Sequence, residues 1–280
     1  MRTMLQSMLV ALDESAWSST ATTLALEWAK RLDARLIGLA LVDETSVVRP
    51  EPVPRGAGDF KKRRDKARLA DAHKHAQQTL EIFRERCASA GVPETASEDI
   101  GDPAGCILRD AHRCDLIVLG READFRFNEQ DSSDGTLGQI IGRSPRPIVV
   151  VPRELPGGSG VIVAYGGGRE VARTLQIFEL LGLSFNETVH LVNVRQGRAS
   201  EETVVDYAGE FLHLHGTESQ LHVVESGSEP AEALLEQVRT LQPRLLVMGA
   251  PGYHPFRDLF ATSVTRAVLR ECPVPLLIGA

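Results

Sequence analysis

The sequence predicts an α/β protein of two tandem domains, each an open five-stranded parallel sheet with helices on both faces. Three observations carry that expectation. The second half of the 280-residue chain repeats the first. Within each half, short apolar runs alternate with longer amphipathic stretches, as strands joined by crossover helices do. The apolar runs show little internal alternation, as befits parallel strands covered on both faces. In the repeat, Met8-Leu9-Val10-Ala11-Leu12-Asp13-Glu14-Ser15 is answered by Val161-Ile162-Val163-Ala164-Tyr165-Gly166-Gly167-Gly168. Asp115–Gly120 is answered by Arg244–Gly249, and Pro145–Val151 by Pro273–Ile278. Each copy has the length of a domain, not the roughly 20–45 residues of a solenoid repeat.

In the first copy a strand over residues 6–12 ends at Asp13-Glu14-Ser15. Ser15 can cap a helix running to Leu32, because its hydroxyl can accept from a first-turn amide. Arg35–Val42 is a second strand. Residues 43–60 hold Pro50, Pro52, Pro54, Gly56 and Gly58 and read as a loop. A long polar helix from about Lys61 to Ala90 is closed by Gly91. A strand over Thr95–Ile100 follows, and Pro103 opens a helix leading to the strand that ends at Gly120. In the second copy the strands are Val161–Tyr165, Val189–Val194, Leu221–Glu225, Leu245–Gly249 and Leu276–Ile278. The helices between them are Glu170–Leu181, Glu201–His215, Pro230–Leu241 and Ser263–Arg270. Asp13 and Gly120 are 107 positions apart, but Gly166 and Gly249 only 83. The surplus falls mostly in the Pro-rich loop and the start of the long helix, where insertion costs little entropy. The predicted domains are residues 1–153, with a Pro-rich insertion near 43–60, and residues 158–280.

A hydrophobic content of 42% and a charged content of 25% are those of a globular protein with a sizeable core in each half. The net charge of −7 argues against general nucleic-acid binding. It leaves room for a nucleotide, whose phosphates backbone amides can hold. No apolar stretch is long enough for membrane insertion, and the first seven residues carry no secretory signature. Cys87, Cys106, Cys114 and Cys272 form no CxxC pair, so free thiols in a reducing cytoplasm are expected.

Ligands of open parallel sheets sit beyond the carboxyl ends of the strands, near the point where strand order reverses. Three segments of each copy reach that edge. In the first they are Asp13-Glu14-Ser15, Val42-Asp43 and the stretch from Gly120. In the second they are Gly166-Gly167-Gly168, Val194-Arg195 and the stretch from Gly249. The last of these reads Gly249-Ala250-Pro251-Gly252, then nine residues, then Thr262-Ser263 at the start of a helix. Glycines let backbone approach phosphates closely, and a hydroxyl at a helix N-terminus adds a donor where the dipole favours an anion. A glycine turn followed by an ordinary Thr/Ser cap would read the same way.

On these residues the chain resembles the universal stress protein family in its tandem form, over nearly its whole length. The resemblance implies a Rossmann-like, adenine nucleotide alpha-hydrolase-like fold and domains paired through their last strands. It also implies an ATP or AMP site, with Mg accompanying the phosphates. Ala11-Leu12-Asp13-Glu14-Ser15 matches the family's nucleoside-binding end of strand one, with Val42 and Val194 at the second strand. Gly120, Gly135 and Thr136 in the first copy stand where the glycine loop and its hydroxyl hold phosphates. Gly249, Gly252, Thr262 and Ser263 stand there in the second. Glu271-Cys272-Pro273-Val274-Pro275-Leu276 resembles the family's entry into strand five.

Each copy departs from that pattern. In the first, Ala123 replaces the second glycine, and the loop to Gly135-Thr136 is two residues longer and acidic (Glu129, Asp131, Asp134). Carboxylates repel a triphosphate unless a cation intervenes. In the second, Gly166 replaces the strand-one Asp, and Thr262 the last loop glycine. The second copy is favoured as the nucleotide site, because phosphate contacts outnumber the single Asp contact. Gly166-Gly167-Gly168 lacks the Asp-Ser of the related ATP-pyrophosphatases and reads as a turn.

Other constellations carry little chemistry. His73 and His75, like His213 and His215, are two apart on helices and point to different faces. With His222 they match no recurrent zinc spacing. Lys61-Lys62-Arg63-Arg64 is balanced by Asp59 and Asp65 and reads as a solvated helix start. Trp17 and Trp28 read as packing residues. No catalytic residue is assigned, His254 in the second loop included, and at most a slow ATPase is expected. Two functional classes remain. One is a nucleotide-binding stress-response regulator. The other is a scaffold of the same family with degenerate clefts. Homodimerisation of the tandem chain is a separate expectation.

Overall fold

The structure, a computed structural model, describes residues 4–48, 58–122, 134–195, 202–225, 227, 229–249 and 263–279. The first half comprises β1 (Ser7–Leu12), α1 (Ala16–Leu32), β2 (Arg35–Val42), α2 (Glu44–Val47), α3 (Gly58–Ala90), β3 (Glu94–Ile100), α4 (Pro103–Asp110), β4 (Leu116–Gly120), α5 (Asp134–Arg143) and β5 (Ile148–Val151). The second comprises β6 (Val161–Ala164), α6 (Arg169–Leu180), β7 (Val189–Arg195), α7 (Glu202–Leu214), β8 (Ser219–Glu225), α8 (Pro230–Leu241), β9 (Leu245–Gly249), α9 (Ser263–Glu271) and β10 (Leu276–Gly279).

The strands form one ten-stranded sheet in the order β3-β2-β1-β4-β5-β10-β9-β6-β7-β8. Each half is parallel throughout, and the halves meet where β10 runs antiparallel to β5, with Leu276 opposite Val150 and Ile278 opposite Ile148. That pairing removes two apolar edges that would otherwise invite aggregation. The order is a palindrome of the repeat. Side chains on one face, such as Met8, Val10, Val161 and Val163, pack under α1, α3, α6 and α7. Those on the other, such as Leu9, Ala11, Ile162 and Leu246, pack under α4, α5, α8 and α9.

The segment expected to be a loop, 43–60, contains α2, and α3 starts at Gly58, three residues earlier than predicted. Asp59 in its first turn suits the helix dipole, and Lys61 pairs with Asp65 at 2.6 Å one turn on. Residues 49–57 of that segment lie outside the described residues. With 33 residues, α3 is about 50 Å long at about 1.5 Å per residue. Its counterpart α7 has 13, so the length difference between the halves lies in this helix and the loop before it. The buried stripe Ala72, Ala76, Leu80, Phe83 and Cys87 keeps helical spacing over the C-terminal half of α3. Phe83 presses on β2 at Gly38, where a Cβ would lie 2.6 Å from the ring.

All four cysteines are free and buried. Burial pushes the Cys87 and Cys114 thiols up to about 11, and raises Cys106 and Cys272 as well. The thiolate is the reactive species. Ellman's reagent at pH 8 is therefore expected to find no fast thiol in the native protein and all four after denaturation. A fast native thiol would show that one cysteine is accessible. No helix among the described residues is long and apolar enough to cross a membrane.

Candidate functional site

Strand order reverses between β1 and β4 in the first half, and between β6 and β9 in the second. Ligand clefts are expected beyond the carboxyl ends of those strands. In the first half that end is closely built. Asp13 follows β1 and is buried. Its Oδ1 accepts from the Ser15 backbone N–H at 2.9 Å and the Ser15 hydroxyl at 2.5 Å. The Asp13 N–H donates to the Ser18 hydroxyl at 3.0 Å, and the Ser18 N–H donates to the Ser15 hydroxyl at 3.1 Å. Ser15 is the N-cap of α1, as predicted. The buried Ser18, which the sequence reading missed, completes the network. Only its place in the first helical turn, three residues after the cap, hinted at it.

Beside this turn a cleft of about 590 Å3 opens between α1 and α3. Asp13, Ser15, Ser18 and Thr22 line one wall, and Glu81, Phe83 and Arg86 the other. The α3 wall is tied in place. Its His75 Nδ1 lies 2.6 Å from Glu14 Oε1, His73 and Gln77 both meet Glu98 at the end of β3, and the Arg86 guanidinium donates to the Ser19 carbonyl and the Thr23 hydroxyl of α1. His73 and His75 thus point to different neighbours, as their spacing implies. Val42 is fully buried, and its carbonyl accepts from the Gly101 N–H at 3.1 Å. The next residue, Asp43, is a second buried acid at this edge.

Gly120 ends β4, and a Cβ there would lie 2.7 Å from Trp17 Cβ and 2.8 Å from the Trp17 carbonyl carbon. Gly249 ends β9 in the same relation to α6, with a Cβ 2.6 Å from the Val171 nitrogen. Both glycines therefore let the first turn of the leading helix lie directly on the strand end, whatever they do for a ligand. Gly135 and Thr136 fall in the first turn of α5, with Thr136 half-buried. Ala123 and Glu129, the acidic stretch before α5, and His254, Gly252 and Thr262 lie outside the described residues. Ser263 begins α9.

The second half is built differently at matching positions. Gly166 follows β6 with nothing within 4 Å of a would-be Cβ. Gly167 has φ +78°, a left-handed conformation suited to glycine. Gly168 caps α6 where Ser15 caps α1, without a side-chain bond. Glu170 in the first turn is held below the usual carboxylate range by its own backbone N–H and by Arg169. The half-buried Val194 lies in β7 between two residues that point to the other face. Of these, Asn193 is buried and donates to the Tyr165 carbonyl at 2.8 Å, and its Oδ1 accepts from Arg195 at 3.1 Å. Where the first half places Asp13 and Asp43, the second places Gly166 and Arg195. The two strand ends therefore differ in charge.

Arg121, just beyond Gly120, crosses to the other half and donates to the Arg270 and Cys272 carbonyls at the end of α9. A cation there suits the helix C-terminus. His222, grouped by sequence with His213 and His215, pairs instead with His190, Nε2 to Nδ1 at 2.9 Å. No group of three or more potential metal ligands occurs among the described residues.

Residues 4–152 and 161–278 each match the profile of the universal stress protein family. A universal stress protein of Synechocystis sp. is 25% identical over 208 residues, covering 73% of this chain and 72% of its own. A universal stress protein of Archaeoglobus fulgidus superposes with a TM-score of 0.70 at 16% identity, covering 98% of this chain and 97% of the other. A protein of unknown function from Pseudomonas aeruginosa gives 0.62 at 15%, covering 98% and 92%. The chain belongs to the universal stress protein family and carries two tandem domains of it.

Proposed function

We propose that the chain is a stress-response regulator that binds an adenine nucleotide, ATP or AMP, in at least one half, with Mg2+ accompanying the phosphates. The observation that carries this reading is the closed Asp13–Ser15–Ser18 network at the β1–α1 turn, beside a cleft of about 590 Å3. It places a buried carboxylate and two hydroxyls at the strand-order reversal, where a nucleoside would be held. In the second half the open backbone at Gly166 and the Arg195 side chain favour phosphate. The complementary division accords with a site kept in parts by each half. The buried thiols suit a reducing cytoplasm. As a regulator, the protein would bias its partner-binding state only through different nucleotide affinities of two conformations.

Native mass spectrometry of freshly purified protein, followed by addition of Mg-ATP, tests the reading. One or two bound nucleotides are expected. Asp13→Asn should weaken first-half binding by about tenfold, the equivalent of about 1.4 kcal/mol. Arg195→Ala should weaken second-half binding similarly. A bare protein that ignores added Mg-ATP would sink the nucleotide reading and leave the scaffold reading, in which the degenerate clefts take another small ligand or none.

A further inference from the structure

The ten-stranded sheet ends in two edges, β3 and β8. The repeat puts them in corresponding places, so they can be compared residue by residue. From Met8 and its counterpart Val161, the registers run through Leu36 and Val189 to Glu94 and Ser219. Further along, Ala96 corresponds to Leu221, Glu98 to Val223 and Ile100 to Glu225.

The β3 edge is guarded. Arg84 of α3 donates to the Ala96 carbonyl at 3.1 Å. His73 and Gln77 of the same helix hold Glu98. Charged side chains and a covering helix are how natural sheets keep an edge from pairing. The β8 edge has neither. Where Ala96 and Glu98 stood it carries Leu221 and Val223, 43% and 42% exposed. The strand has 7 residues, with no proline, lysine or arginine. Its covering helix, α7, has 13 residues where α3 has 33.

The backbone of β8 is also open. Val189 donates to the Glu218 carbonyl at 2.9 Å. Every second residue of an edge strand bonds to its neighbour in such a ladder. Gln220, His222 and Val224 therefore bond to β7, while Ser219, Leu221, Val223 and Glu225 turn their N–H and C=O groups outward. Among the described residues, no side chain bonds to that outward row.

The row is complementary to itself. In a second copy laid antiparallel with full overlap, Leu221 faces the second copy's Val223, and Ser219 faces its Glu225. Apolar then meets apolar, and a hydroxyl meets a carboxylate. About eight interstrand backbone bonds form. A shift by two residues loses pairs and sets Leu221 against Glu225, or Ser219 against Val223. The chain joins its own halves by the same device, the antiparallel pairing of apolar β5 with β10.

We propose that two copies of this chain pair antiparallel through β8, about a two-fold axis at His222, so that one sheet continues through both. The contact uses the same patch on each copy and closes on a dimer. One strand pair lies at the small end of specific interfaces, below about 1,200 Å2, where association is weak and reversible. The proposal does not rest on the nucleotide reading, so either can fail alone.

Sedimentation velocity of the full-length protein, over a rising concentration series without nucleotide, tests it. A reversible monomer–dimer equilibrium is expected. Val223→Lys should weaken the dimer by roughly tenfold or more, because an edge lysine opposes strand pairing. Val223 is exposed, so circular dichroism should show the fold intact. Ile100→Lys, on the β3 edge, should leave the dimer unchanged. His222→Cys places two thiols across the axis with Cα atoms about 4.5 Å apart, within the reach of a disulfide. Mild oxidation should give a reducible covalent dimer of this variant and none of the unsubstituted chain, whose four cysteines are buried. A monomer at every concentration would overturn the proposal and leave the edge to a strand of some other protein. A dimer that survives Val223→Lys, or one that Ile100→Lys abolishes, would put the contact elsewhere and overturn it too. So would a His222→Cys variant that dimerises without cross-linking, since the register would then be different.

Discussion

Gly120→Ala and Gly249→Ala are each expected to lower the stability of the ligand-free protein by about 1–3 kcal/mol, the usual cost of overpacking. In both, the added methyl meets backbone rather than a side chain that could swing away. At Gly120 it lies 2.8 Å from the Trp17 carbonyl carbon and 3.0 Å from the Ser18 nitrogen. At Gly249 it lies 2.6 Å from the Val171 nitrogen and 2.8 Å from the Glu170 carbonyl carbon. Relief requires the first turn of α1 or α6 to move off the strand. In the first half that shift also pulls on the Ser15–Ser18 network that orients Asp13. The matching control is Gly166→Ala, where the methyl meets nothing within 4 Å, so the change should stay within about 0.5 kcal/mol. Urea denaturation without nucleotide measures all three. A midpoint unmoved by the Gly120 and Gly249 substitutions, with nucleotide binding lost, would mean that the glycines serve only the ligand.

The architecture was legible because it is repeated and periodic. Ser15 announces the start of α1, Gly91 the end of α3 and Pro103 the start of α4, each through a local rule that needs no knowledge of neighbours. The pairing of β5 with β10 is what the family resemblance implies, and the two apolar edges suit it. The early start of α3 was not legible. Gly58 opens it right after the run of prolines, and the Lys61–Asp65 pair that supports its first turns reads in sequence as surface charge. The candidate site divides the same way. Asp13 and Ser15 stand out by motif, but Ser18, Asn193 and Arg121 act through contacts set by the folded chain. Arg121 reaches carbonyls about 150 positions away. Gly120 and Gly249 stand out in the sequence as phosphate-loop glycines. Their packing against the leading helices was invisible until the helix backbones were placed.

Trp28→Ala is expected to be among the most damaging single changes, costing about 3–5 kcal/mol. Trp28 lies on α1 in the first half with only 1% of its surface exposed. Its ring meets Phe185 of the second half, centroids 5.5 Å apart and planes tilted by 50°. Truncation therefore opens a cavity between the halves and removes support from a left-handed Phe185 that cannot relax without moving its loop. Trp28→Phe should behave differently. The indole Nε1 is buried without a hydrogen-bond partner, and burying such a group costs about 1–3 kcal/mol. Phenylalanine removes that cost while leaving a smaller void, so its net effect should be well below that of alanine. Calorimetric unfolding distinguishes the cases. The Ala variant should also loosen the coupling between the halves, broadening or splitting the transition, whereas the Phe variant should keep a single one. Combining Trp28→Ala with Phe185→Ala should give a coupling energy of about 0.5–3 kcal/mol, as expected for residues in contact. Additive losses, or a Phe variant as unstable as the Ala variant, would show that Trp28 fills its own half without clamping the other.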